Sequence, residues 1–210
     1  MIELSDVWKR FGDEWVLRGV NLRIDRPDLI AVVGENGSGK TTLLKIICGI
    51  VKPSRGTVKL FGKDLRRDKS YKRKIGVLFH ENVLYEELTV DENLNFYSKV
   101  YGIYSDTAKD VYERLELERF GDVRVKDLSF GWRKRANLVR ALINDPKVVL
   151  LDEPLSGLDE RSTELVRDLM LELSKDRIVL FTSPRDPEFE CHTLRIEKGV
   201  LHDTSRGQGF

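Results

Sequence analysis

The run Gly34-Glu35-Asn36-Gly37-Ser38-Gly39-Lys40-Thr41-Thr42 constrains the chain more than any other feature of its sequence. It follows directly on residues 29–33, a continuous apolar stretch of strand length, and leads into a helical pattern over residues 42–48. Glycines let such a loop curl until successive backbone N–H groups point inward at an anion. The helix behind it adds the partial positive charge of its N-terminus. The order G-x-x-x-x-G-K-[ST] puts Lys40 within reach of β- and γ-phosphates and the Thr41 hydroxyl where it can ligate Mg²⁺. At ordinary glycine usage a chance match in a chain this long is on the order of 1%, so a coincidental turn is set aside. A strand–loop–helix of this kind belongs to an α/β fold with a parallel sheet.

The rest of the chain fits that frame. Two antiparallel strands are expected at residues 2–7 and 15–24, around a turn at Phe11-Gly12-Asp13. Further strands are expected at 57–61, 75–79, 148–151 and 178–182, with short ones near 194–197 and 200–202. Residues 89–118 turn helical, with Thr89 or Asp91 and Ser105 or Asp106 as caps, and interrupt the strand–helix alternation like an inserted helical subdomain. Helices follow at 129–143 and 159–174, and residues 205–210 read as frayed. At 210 residues this is a single domain. Its catalytic core with the β subdomain would take residues 1–80 and 145–204, and the helical subdomain about 81–144.

Composition excludes other classes. With 36 Lys+Arg against 35 Asp+Glu the net charge is +1, without the basic excess of a dedicated nucleic-acid binder. The basic clusters at 63–67 with Lys69, at 72–74 and at 133–135 read as solvated faces. No apolar run approaches the roughly 18–20 residues of a membrane span, and the first residues have no signal-peptide pattern. Cys48 and Cys191, far apart, read as free thiols of a reducing compartment, which points to a cytoplasmic protein.

A second acidic element completes the phosphate chemistry. Val148–Leu151 ends in Asp152, which can orient Mg²⁺, and Glu153, which can polarise an attacking water as general base. About twenty residues earlier stands Leu128-Ser129-Phe130-Gly131-Trp132, opening a helix. Ser129 and the Gly131 N–H at a helix start make a second anion-binding end.

With these motifs in this order, the chain resembles the ATP-binding cassette (ABC) ATPases, the nucleotide-binding subunits of ABC transporters, over nearly its whole length. The resemblance implies a phosphate-loop NTPase core with a parallel sheet, an N-terminal antiparallel β subdomain and an inserted α-helical subdomain. It implies ATP and Mg²⁺ as ligands, with ATP held by residues 34–42 and its adenine stacked on Phe11. It makes Ser129, Phe130, Gly131 and Trp132 the signature that meets the partner's nucleotide in a head-to-tail dimer, homo- or heteromeric, with Asp159 in the segment linking the two sites. It also implies a separate transmembrane permease, a place on the inner face of the cell membrane, and no nucleic-acid partner. Residues 88–102 are similar to exporter-type cassettes, and residues 80–102, with Tyr85, Leu88, Tyr97 and Tyr101, would form the docking surface.

Two positions depart from the family pattern. His80 stands where its members usually carry a glutamine that contacts metal and water, and Ser183 where they carry a histidine. Both are catalytic candidates beside Glu153 and Lys40. The substitutions predict detectable but slow hydrolysis, because a lost transition-state donor typically costs roughly 10²–10³ in rate. They leave open a slow or non-hydrolysing ATP-dependent clamp, or a soluble cassette not coupled to transport.

Overall fold

The computed structural model describes residues 1–204; the stretch 205–210, read above as frayed, lies outside the described residues. Strands β1 (Ile2–Phe11) and β2 (Glu14–Ile24) pair antiparallel because Ile2, Leu4 and Val7 on one, and Leu17, Val20 and Ile24 on the other, share one buried face. Strand β4 (Arg55–Leu60) pairs with the other edge of β1, and the short β5 (Lys63–Asp64) completes a four-stranded sheet in the order β2-β1-β4-β5.

The second sheet carries the phosphate loop. Strands β3 (Asp28–Val33), β6 (Ile75–Leu78), β7 (Val148–Leu151), β8 (Ile178–Ser183), β9 (His192–Glu197) and β10 (Val200–Asp203) form it in the order β10-β9-β3-β8-β7-β6. All neighbours are parallel except β10 and β9. Its inner strands are apolar on both faces, which explains their unbroken hydrophobic runs. Ala31, Val33, Val149, Leu151, Val179 and Phe181 face one core; Ile30, Val32, Val148, Leu150, Ile178 and Leu180 face the other.

Helix α1 (Lys40–Ile47) packs with the small sheet on the second of these faces. The first is covered by α5 (Glu160–Leu173) and by the helical segment α2 (Val90–Tyr101), α3 (Asp106–Arg114) and α4 (Phe130–Leu142). Of the alternative caps, Thr89 and Ser105 are the ones used. Thr89 forms a reciprocal capping box with Glu92, a motif worth about 1 kcal/mol. Ser105 Oγ accepts from Ala108 N at 3.1 Å. Among the described residues no helix is long and apolar enough to cross a membrane.

Helix α4 lies directly on β6. A Cβ at Gly76 would stand 2.1 Å from the carbonyl oxygen of Ala141. Gly76→Ala is therefore expected to cost about 1–3 kcal/mol, as overpacking does. A urea midpoint equal to wild type would show that α4 can retreat at no cost. Both cysteines are free, and burial pushes the Cys48 thiol up to about 11.

Candidate functional site

Three strand ends build the site. In the sheet order, β8 lies between β3 and β7, so the residues after these strands meet along one crevice. Val33, just before the loop, pairs with Ser183, and Leu151, just before Asp152, pairs with Phe181. Open α/β sheets bind ligands at such carboxyl ends.

The loop is held tightly from behind. A Cβ at Gly34 would sit 2.5 Å from the Ile196 carbonyl oxygen, and one at Gly39 3.0 Å from both Leu17 and the Val16 carbonyl. Gly39 also has φ 107°, a conformation that side chains resist. Glu35, Asn36 and Gly37 face outward, and Ser38 is half-buried, with Thr41 exposed and Thr42 half-buried behind it. Lys40 is buried, and its Nζ donates to the carbonyls of Gly34 at 2.7 Å and Glu35 at 3.0 Å. Ser38 Oγ is buried and has no hydrogen-bond partner among the described residues, a group that phosphate oxygens would satisfy.

Asp152 sits opposite. Thr41 Oγ1 donates to its carboxylate at 2.9 and 3.0 Å, and Thr182 Oγ1 donates at 2.7 Å. Thr182 Oγ1 also accepts from Glu153 N at 2.9 Å, so one hydroxyl on β8 spaces both acids. A hydroxyl and a carboxylate are hard oxygen donors suited to Mg²⁺, which usually takes one or two protein ligands and completes its shell from phosphates and water. No group of three or more His, Cys, Asp or Glu that could hold a metal by itself occurs among the described residues.

Glu153 adopts φ 46°, and its turn is clamped from α4. Lys134 Nζ donates to the carbonyls of Glu153 and Ser156, both at 2.6 Å. Burial pulls this ammonium down to about 8, opposed by the charges of Glu153 and Asp152. Sequence reasoning missed Lys134 because three basic residues in a row look like a solvated face. That expectation fails at 133–135: Lys134 and Arg135 are buried, and Arg135 stacks on Trp132 with its guanidinium 4.2 Å from the ring centroid. A cation recurring on the inner side of an amphipathic helix was the available signal.

The remaining candidates divide. Ser129 is the exposed N-cap of α4, and its side chain makes no capping bond. Phe130 is 42% exposed, lies 6.0 Å from the His80 ring and closes over Gly157, while Gly131 and Trp132 are half-buried. Phe11 ends β1 half exposed, with Lys9 Nζ 4.6 Å from its ring centroid; Val16 and Leu17 of β2 bring this hairpin against the loop. Asp159 caps α5, accepting from Ser162 N at 2.8 Å and Ser162 Oγ at 2.7 Å. Ser183 lines the crevice beside Glu153, but its hydroxyl is engaged in its own turn. Its hydroxyl donates to the Arg185 carbonyl at 2.5 Å and accepts from Arg185 N at 3.2 Å.

The expected docking residues need correction. Tyr85 is exposed, but Leu88, Tyr97 and Tyr101 are half-buried, and both tyrosines pack on the core. The apolar surface consists instead of Val83, Tyr85, Phe96, Val100 and Ile103, each 40–57% exposed. Asn93 fixes its loop by bonding Tyr85 N at 2.7 Å and Tyr85 O at 3.0 Å, and Tyr97 Oη bonds the Val83 carbonyl at 2.7 Å.

Comparison with known proteins agrees with this geometry. The family model described as "ABC transporter" matches residues 17–156. The chain is 35% identical over 194 residues to the ABC transporter ATP-binding protein NatA of Bacillus subtilis (strain 168), covering 87% of this chain and 79% of that protein. It is 34% identical over 207 residues to the Nod factor export ATP-binding protein I of Burkholderia lata, covering 94% and 68%. Among solved structures, the ATP-binding cassette MJ0796, a dimer in a post-hydrolysis state with ADP and Pi, superimposes with a TM-score of 0.86 at 27% identity over the whole of both chains.

Proposed function

The chain belongs to the ABC transporter family as an ATP-binding, ATP-hydrolysing subunit, and from that premise we propose that it drives a separate membrane permease by ATP-dependent, head-to-tail dimerisation. The observation that carries this reading is the apolar surface of Val83, Tyr85, Phe96, Val100 and Ile103. Five exposed large apolar groups within residues 83–103, with the Tyr85 and Phe96 rings 5.1 Å apart, mark an interaction site. That surface follows His80 along the chain, and His80 follows the end of β6 beside the site. A shift at the nucleotide therefore has a short path to the partner, which would hold the chain at the cytoplasmic face of the membrane.

In this reading the loop N–H groups, Ser38 and Lys40 bind the phosphates, and Phe11 stacks the adenine. Thr41 and Asp152 would hold Mg²⁺, which would supply neutralisation of the phosphate charge. Glu153 accepts the proton of the attacking water, with Thr182 and Lys134 fixing its backbone. Ser129 and the Gly131 N–H present an anion-binding helix end to the partner's nucleotide, and Asp159 follows in the segment that links the sites.

Hydrogen exchange on the chain with and without its permease tests the coupling. Protection over residues 80–103 is expected; exchange that stays unchanged there removes the surface as the interface. A clamp that binds ATP but scarcely turns it over is the second reading, favoured by the Ser183 hydroxyl being engaged in its own turn. A steady-state rate at background level would select it.

A further inference from the structure

The turn after β8 places one cation on the wall of a cavity that Glu153 also lines. Arg185 lines a cavity of about 420 Å³ together with Glu153, Ser156, Thr182 and Ser183. Because Ser183 pairs with Val33 on one side and β8 adjoins β7 on the other, this turn stands between the phosphate loop and Glu153. The backbone around Arg185 is held at several points. Pro184 and Pro187 bracket it and restrict φ. Ser183 Oγ bonds both its N–H and its carbonyl. Next to it, both Asp186 oxygens accept from Arg195 Nη2 at 2.6 and 2.8 Å. Two residues past Pro187, Phe189 stacks on Phe181 with ring centroids 5.9 Å apart. Yet the Arg185 side chain is exposed, and it forms no ion pair among the described residues. A turn with its backbone anchored at this many points, presenting an uncommitted guanidinium on a cavity that Glu153 also lines, can offer a positioned donor to charge developing there.

We infer that Arg185 is a catalytic residue of the ATPase, donating hydrogen bonds to the γ-phosphate as charge develops on it. The inference rests on the reading of Glu153 as general base. In the step, the water oxygen bonds the γ-phosphorus while the bridging P–O bond breaks and leaves its electron pair on ADP. Glu153 takes the water proton. Arg185 stays protonated throughout and transfers nothing. Its forked, permanent charge suits phosphate oxygens better than a neutral hydroxyl, so the deficit expected from Ser183 is made good two residues later. Ser183 becomes the positioning residue of that turn. His80 is the poorer candidate: it follows β6, which β7 separates from β8, and its ring lies against Phe130.

The test compares Arg185→Ala, Arg185→Lys and Glu153→Gln for kcat, KM and ATP affinity, with guanidinium ion added as a chemical rescue. Arg185→Ala is expected to lower kcat about 10²-fold with ATP affinity and thermal midpoint unchanged. Arg185→Lys should be intermediate, and guanidinium should restore part of the Arg185→Ala rate but none of the Glu153→Gln rate. Wild-type kcat in Arg185→Ala, with Glu153→Gln inactive, overturns the inference and leaves Glu153 in place. Lost affinity at unchanged kcat, or a loss of kcat that tracks a lowered thermal midpoint without rescue, overturns it too. Turnover in Glu153→Gln instead overturns the reading beneath it.

Discussion

Glu153→Gln is expected to abolish steady-state hydrolysis while ATP stays bound. The amide keeps the shape of the carboxylate but cannot take a proton, and a positioned general base contributes roughly 10²–10⁴ in rate. The backbone that presents it should not move, because Lys134 and Thr182 hold the Glu153 carbonyl and N–H rather than its side chain. With ATP unhydrolysed, the proposed head-to-tail dimer should accumulate and double the mass seen by light scattering. Continued turnover would take the base away from Glu153. A variant that is inactive yet monomeric with ATP would show that the second anion-binding end, at Ser129, needs a different partner chain.

Lys40→Ala should have the next largest effect, on binding. Lys40 is the single side-chain cation between residues 34 and 42, and it is buried. A charge-assisted hydrogen bond contributes about 1.5–3 kcal/mol, so ATP affinity should fall about tenfold to a hundredfold. Lys40 also bonds two loop carbonyls, so the substitution removes two ties within the loop as well. Lys40→Arg separates the effects, since it keeps the charge and alters the fit. Calorimetry showing wild-type ATP affinity in Lys40→Ala would remove this loop as the nucleotide site.

The strands of the large sheet could be read from sequence because burial on both faces leaves unbroken apolar runs, as at Val148–Leu151. The caps of α2 and α3 could be read to within two residues, since Thr89 and Ser105 stand before a helical period beside the alternatives Asp91 and Asp106. The two-residue β5 and the 3₁₀ turns at 70–74, 117–120 and 125–127 could not, being too short for any period to show. At the site, the contiguous loop and the Asp152-Glu153 pair were visible as motifs. Lys134 and Thr182 were not assigned their roles, because these depend on which strand lies beside which. Chain order alone does not say that β8 separates β3 from β7. The outward apolar groups of α2 were misjudged for a related reason: a helix with aromatic residues at 96, 97 and 101 does not declare which of them the core takes.

The grip of Lys134 on the turn after Glu153 has a consequence for timing. In the proposed reading, helix α4 begins at the residue offered to the neighbouring subunit's nucleotide and, barely one turn later, Lys134 holds the turn of the proposed base in its own subunit. A rigid helix cannot tilt at one end without displacing the other. In the proposed dimer, whatever one subunit senses across the interface is therefore felt at its own water-activating turn. The two half-reactions then share one clock, and a dimer carrying one dead site should slow its intact site as well.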